Sequence, residues 1–129
     1  MPRLDSHQHF WRFDPARDTW ITDEMRAIRR DFLPGDLAPL LMSCRIDGCI
    51  AVQADQSLAE TQFLLDLARR HSFVKGVVGW VDLRSAELDA TLDGLGEEPL
   101  LRGVRHVAQG EPNDFLARDE VIRGIDRIG

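Results

Sequence analysis

Residues 48–83 read GCIAVQADQSLAETQFLLDLARRHSFVKGVVGWVDL, and this stretch decides the fold. It opens on Cys49, Ile50, Ala51 and Val52, a continuous and partly β-branched apolar run. Ser57 and Glu60 then have the spacing of a capping box, and Leu64, Leu67 and Ala68 share one helical face. Arg69, Arg70 and His71 place basic groups at the negative end of that helix's dipole. A second apolar run, Val74 to Leu83 with VVGWV inside it, follows at once. Continuous rather than alternating apolar runs suit strands buried on both faces, as in parallel sheets. Strand, helix, strand in that order is a βαβ unit.

The unit recurs on both sides. Arg3 to Phe10 is an earlier run, and Leu100 to Ala108, containing GVRHV, a later one. Leu37, Leu40, Leu41 and Cys44 follow the i, i+3, i+4, i+7 spacing of a helix, with Asp36 as its expected N-cap. Leu88, Leu92 and Leu95 mark a third helix, started by Ser85 and stopped by Gly94–Gly96. A fourth, after Asn113 and Asp114, carries Phe115, Leu116, Val121, Ile122 and Ile125. Alternation of this kind predicts an α/β fold with a parallel sheet and right-handed crossovers. Residues 11–35 form an unusually long connection and hold Trp11, Phe13, Trp20 and Ile21. Such loops are functional or disordered; the aromatics point to a flap packed near a site, with a plug of the barrel floor or flank as the alternative.

A length of 129 residues allows one domain. Lys and Arg number 16 against 22 Asp and Glu, a net charge of −6, so bulk electrostatics give no support for nucleic-acid binding. No apolar run approaches the roughly 20 residues of a membrane span. The opening MPRLDSHQHF has no signal-peptide core, so a cytoplasmic address is expected. Cys44 and Cys49 lack CxxC spacing and a neighbouring His and read as small core residues in a reducing compartment. No GxGxxG, GxxxxGK or GxSxG occurs, which removes support for dinucleotide, P-loop and serine-hydrolase chemistry.

Chemistry concentrates at the ends of the apolar runs. In Asp5-Ser6-His7-Gln8-His9, side chains two apart on a strand share a face, so His7 and His9 present two imidazoles side by side. Two imidazoles suit Zn²⁺ or a similar ion, with ligand distances of about 2.0–2.1 Å. The C-terminal end of a strand is also where α/β sheets build their sites. His106, at the end of the fourth run, is a candidate ligand or general acid/base, or a satisfied structural histidine. Asp82, ending the third run, can take a proton or orient a His, or merely shape a turn. Gln53 ends the second run, Arg105 has the fork that clamps a carboxylate, and Trp80 is either core or a substrate platform.

DSHQHFW, IRRDFLPGDLAPLL, VQADQS, FVKGVVGWVDL and LRGVRHVAQGEP together resemble the amidohydrolase superfamily, and within it the metal-dependent TIM-barrel hydrolases that include L-fuconolactonase and L-rhamnonolactonase. The resemblance runs from Arg3 to about Ile125. It implies a (β/α)₈ barrel and opening of a sugar-acid lactone. Position by position, it makes His7 and His9 ligands of a divalent metal, zinc first, although metal use varies within the branch. It matches His106 to the His of the family's GVRH strand, and Gln53 and Asp82 to rim positions of strands two and three; with these, His106 and Asp82 are the expected catalytic residues, and Gln53, Arg105 and Trp80 the expected substrate-binding residues. A (β/α)₈ barrel takes about 250 residues. The expected content is therefore about four of eight units, a half-barrel over residues 1–129 corresponding to the N-terminal half. The family's later His, and the Asp after its last strand, have no counterpart. A truncated chain without catalytic competence, or a half-barrel assembly module, is the alternative reading, and an HxH metal-dependent phosphoesterase a further one. The expected partners are a small-molecule lactone and a second copy of the chain, with no nucleic acid and no membrane.

Overall fold

The structure is a computed structural model that describes residues 1–129. Strands β1 (Leu4–Gln8), β2 (Gly48–Val52), β3 (Val74–Gly79) and β4 (Leu101–Val104) form one sheet in that order, with every neighbouring pair parallel. Helices α1 (Pro34–Cys44), α2 (Leu58–Arg70) and α3 (Leu88–Leu95) connect successive strands, and α4 (Asp119–Ile128) follows β4. The register slips once in each pair, between Asp5 and Gln8, Cys49 and Ile50, and Val77 and Val78. Stagger of that kind lets a parallel sheet curl toward a barrel.

The strands are shorter than the apolar runs that announce them. β1 stops at Gln8 rather than Phe10, and β3 at Gly79 rather than Leu83. Phe10, Val81 and Leu83 are buried all the same, because each turns from the sheet rim into a core. One core packs Phe10, Cys49, Ala51, Val74 and Val77 against Leu64, Leu65, Leu67 and Ala68 of α2. A second gathers Val81, Leu83, Leu88, Phe115 and Val121 around α3 and α4. Burial of this kind stabilises by about 25 cal/mol per Å² of apolar surface.

Local chemistry sets the helix ends. Ser57 caps α2, its Oγ accepting from the Glu60 N–H at 3.1 Å. Glu60 reaches past the cap to accept from the Ala54 N–H at 3.0 Å, so the expected capping box is only half formed. The α1 N-cap is Leu33, not Asp36; Pro34 opens the helix, and Asp36 reaches back to accept from the Leu33 N–H at 2.9 Å. Ser85 sits in the turn before α3, which begins at Leu88. The fourth helical segment divides into a 3-10 turn, Phe115–Ala117, and α4, because Arg118 between them is extended. Gly124 lies inside α4 where a side chain would run into the Leu83 carbonyl. No helix is long and apolar enough to cross a membrane.

Cys49 is fully buried, but Cys44, expected in the core, is exposed at the last residue of α1, because Leu41 takes the inward face there. The connection between β1 and α1 is packed rather than loose. Trp11 and Phe32 exchange both backbone hydrogen bonds, each 3.0 Å long, closing its base, and Ile21 is 2% exposed. A 3-10 helix, Asp23–Ile28, occupies its middle.

Candidate active site

Four residues stand one position beyond the four strand ends: His9, Gln53, Trp80 and Arg105. Backbone bonds continue the ladder there, from the Gln53 N–H to the Val78 carbonyl at 2.8 Å and from the Arg105 N–H to the Gly79 carbonyl at 2.9 Å. The rim residues are thus fixed by sheet geometry.

His7 and His9 converge. Their Nε2 atoms are 3.2 Å apart, and the rings meet edge to face with centroids 4.9 Å apart. His9 Nδ1 lies 2.9 Å from the Val52 carbonyl oxygen, which can only accept, so Nδ1 carries the proton and Nε2 the lone pair. His7 Nε2 lies 3.1 Å from Arg105 Nη1, which can only donate, so it too presents a lone pair. Two lone pairs face each other with no proton between them. Burial, with the charges of His7 and Arg105, lowers the His9 pKa, against the opposing pull of the Val52 bond. Protonation is thus a poor remedy, whereas a shared cation removes the conflict. Two nitrogens at about 2.0–2.1 Å from a tetrahedral ion stand about 3.3 Å apart, close to the observed spacing. The donor set fits a divalent metal as a two-point anchor; no cluster of three or more His, Cys, Asp or Glu completes it.

Gln53 is turned into the protein. It is 0% exposed, and its Nε2 donates to the Arg105 carbonyl at 3.2 Å. Its place is beneath Arg105, holding the backbone from which the guanidinium reaches His7. His106 spends both ring nitrogens inside the chain. Nδ1 accepts from Trp80 Nε1 at 3.1 Å, which leaves Nε2 to donate to Glu111 at 2.8 Å. Its ring stacks on Phe115 with centroids 4.7 Å apart. In this arrangement neither nitrogen is free to act as base or ligand, and the indole N–H of Trp80 is spent on His106. Asp82 is likewise occupied: Oδ1 accepts from the Arg84 N–H at 3.0 Å and pairs with the Arg84 side chain at 3.5 Å, the turn reading of that residue.

A cavity of about 270 Å³ opens beside the histidine pair, lined by His9, Trp11, Trp20, Ile21 and Arg105 among others. Two of its lining residues carry buried polar atoms without partners, Trp11 Nε1 and Arg105 Nε, and Gln53 Oε1, on the residue beneath Arg105, is a third. A cleft of about 320 Å³ between α3 and α4 is lined by Arg84, Glu120 and Arg127 and touches none of the rim residues. Trp11 and Trp20 line the cavity from the connection whose aromatics pointed to a flap near a site, whereas Glu111 was not legible as a site-building residue. The only signal for Glu111 was an acid five residues beyond His106, in a stretch with Gly110 and Pro112 on either side.

The amidohydrolase family model matches residues 4–128. The chain belongs to the amidohydrolase family. This amidohydrolase chain is 40% identical over 120 residues to an L-fucono-1,5-lactonase of Burkholderia ambifaria, covering 93% of the chain and 41% of that protein. It is 44% identical over 126 residues to an L-fucono-1,5-lactonase of Burkholderia multivorans, covering 95% and 42%. The crystal structure of an amidohydrolase from Burkholderia multivorans with bound zinc superposes with a TM-score of 0.92 at 39% identity, over 97% of this chain and 44% of that one. A probable 2-pyrone-4,6-dicarboxylic acid hydrolase of Acinetobacter baumannii, 15% identical with a TM-score of 0.71, shares the fold. The amidohydrolase chain thus spans about two fifths of the length of the curated relatives it matches. Its four βα units are those of a TIM-barrel amidohydrolase.

Proposed function

We propose that the chain supplies the ion-holding and substrate-orienting part of a site that opens a sugar-acid lactone, and that it corresponds to the N-terminal half of such an enzyme. The observation that carries this reading is the convergence of His7 and His9 lone pairs beside the cavity, together with relatives named as lactonases. His7 and His9 would hold a divalent ion, zinc by analogy with the bound structure. Such an ion, when bound, polarises an ester carbonyl and lowers the pKa of water toward neutrality.

The chain's own residues do the rest of what this part can do. The Val52 carbonyl fixes the His9 tautomer and ring plane. Gln53 fixes the Arg105 backbone, so that the guanidinium projects to the histidine pair. There Arg105 donates to the lactone's oxygens and stabilises negative charge that develops on the carbonyl. Trp11, Trp20 and Ile21 cover one side of the cavity and keep bulk water from the substrate. His106, held by Trp80 and Glu111, anchors the residue next to Arg105. Asp18 and Asp55 line the cavity with His9 and Arg105, but they form no cluster of three or more ligands with the histidine pair.

A chimera tests the reading. Residues 4–128 replace the matching segment of the Burkholderia multivorans relative, and a single cooperative melt confirms folding. The chimera is expected to open five- and six-membered aldonolactones and to leave phosphate esters intact. A folded chimera active only on phosphate esters would remove the lactonase reading in favour of the phosphoesterase one.

A further inference from the structure

We propose that Asp55 is a specificity-determining residue of the candidate site, a carboxylate that accepts from a hydroxyl of an uncharged lactone and turns away lactones that carry a carboxylate of their own. The inference rests on the lactone reading and names the class of lactone. Asp55 is half-buried and lines the cavity of about 270 Å³ together with His9 and Arg105. It stands three positions after Val52, whose carbonyl holds His9.

The N-cap and first turn of α2 hold Asp55 in place. The Ser57 hydroxyl donates to Asp55 Oδ2 at 2.7 Å, while its lone pair accepts the Glu60 N–H at 3.1 Å. Glu60 accepts from the Ala54 N–H at 3.0 Å and so ties down the residue before Asp55. A hydroxyl has one proton to give. Ser57 gives it to Oδ2, and Asp55 Oδ1 is left without a hydrogen-bond partner. All of these contacts lie within residues 54–60, so the free oxygen is fixed by its own loop.

The cavity's remaining charges decide what that oxygen can meet. Arg17 and Asp18 also line the cavity, and they neutralise each other. The Arg17 guanidinium donates to both Asp18 oxygens, at 2.8 and 2.9 Å. That leaves Arg105, which can only donate, and Asp55, which as a carboxylate can only accept. A ligand carboxylate would meet Arg105 but be repelled by Asp55, and a cation would meet Asp55 but be repelled by Arg105. No group of three or more His, Cys, Asp or Glu stands ready to hold a cation. A ligand without net charge that carries both O–H donors and oxygen acceptors satisfies the two residues together. Trp20, 61% exposed, and buried Ile21 add an apolar wall for its C–H face. An uncharged hydroxylated lactone has all of these groups. A like charge placed against the wrong ligand excludes it, as a good contact selects the right one. A site built to bond a substrate hydroxyl also discriminates more strongly than an apolar wall does.

The Burkholderia multivorans chimera, loaded with zinc, tests this with two six-membered lactones of one configuration: an aldonolactone, and the aldarolactone that carries a carboxylate at its far end. The unsubstituted chimera is expected to favour the aldonolactone in kcat/KM by at least about tenfold. In Asp55→Asn the Ser57 proton still goes to the amide oxygen, so an N–H donor replaces the free acceptor in the cavity. The variant is expected to lose about tenfold in kcat/KM on the aldonolactone and to gain about tenfold on the aldarolactone. A purely structural role would lower both together. If Asp55→Asn fails to melt cooperatively, Asp55→Ala replaces it, with the same two directions expected. Any result in which the two substrates do not move in opposite directions overturns the proposal, and so does a preference of the unsubstituted chimera for the aldarolactone. Either of these leaves the lactone reading in place, because the unsubstituted chimera still opens lactones. A folded unsubstituted chimera that opens neither lactone removes that reading, and the proposal with it.

Discussion

His9 Nδ1 lies 2.9 Å from the Val52 carbonyl oxygen, and that one bond determines what the other side of the ring can do. It commits the proton to Nδ1 and turns a bare lone pair toward His7. The partner is backbone, at the last residue of β2, so the tautomer is written into strand pairing rather than into a side chain that drifts. The same economy of parts holds Arg105, whose own carbonyl is tied to Gln53 one position further along.

Arg105 and a metal ion compete for the same lone pair. Arg105 Nη1 stands 3.1 Å from His7 Nε2, and its charge opposes a second cation nearby. Arg105→Ala is therefore expected to tighten zinc binding by up to about tenfold, about 1.4 kcal/mol. Competition against a chromophoric chelator measures it. Unchanged or weaker zinc binding in the variant would mean that the guanidinium does not occupy the ion's approach.

The two thiols are expected to differ sharply in reactivity. Burial, with a smaller contribution from the Asp5 charge, pushes the Cys49 pKa up to about 11. At pH 8 about one thiol in a thousand is then thiolate, and it is shielded as well. Cys44 is exposed. Mass spectrometry after iodoacetamide treatment at pH 8 is expected to show one modified site, Cys44, with Cys49 labelled only in denaturant. Equal labelling in the folded chain would show that the core around Cys49 opens readily.

Glu60 is expected to make stability fall as pH rises. Burial is the largest cause raising its pKa, and the Asp55 charge adds to it, while the Ala54 N–H bond and Arg17 pull the other way. A carboxyl whose folded pKa is raised contributes stability that is complete below its unfolded value of about 4.3 and is lost as pH climbs through the folded value. Glu60→Gln keeps an oxygen for the Ala54 N–H and removes this titration. The variant's urea midpoint is expected to gain on the wild type's between pH 4 and pH 7. Asp18, Glu98 and Asp114, whose pKa values are lowered, titrate in both proteins and cancel in the difference. A constant difference across that range would contradict the account.

The βαβ alternation was legible because each apolar run and each helical face is a local pattern, and the parallel sheet follows from their order. The histidine pair was legible for the same reason: its geometry is a two-residue repeat on one strand. His106 was not, because its role depends on Trp80, Glu111 and Phe115, which reach it from other elements. For Gln53 the strand-end position was legible, but the bond from its Nε2 to the Arg105 carbonyl, 52 positions away, was not. Strand ends were overrun because burial continues past the last ladder bond at Phe10, Val81 and Leu83. Cys44 shares the helical spacing of Leu37 and Leu41 but sits on the final turn of α1, where Arg45 already adopts a left-handed conformation with φ 54°.

The measurement that bears most directly on the central claim is zinc binding by the chain and by its His7→Ala/His9→Ala double variant, read by elemental analysis after dialysis against a metal buffer and by calorimetric titration. The account predicts one zinc held by each wild-type histidine pair. It predicts loss of that zinc in the double variant, with the cooperative melt retained because both side chains stand at the sheet rim rather than in either core. Undiminished zinc in a folded double variant would show that the two converging lone pairs are not where the ion binds.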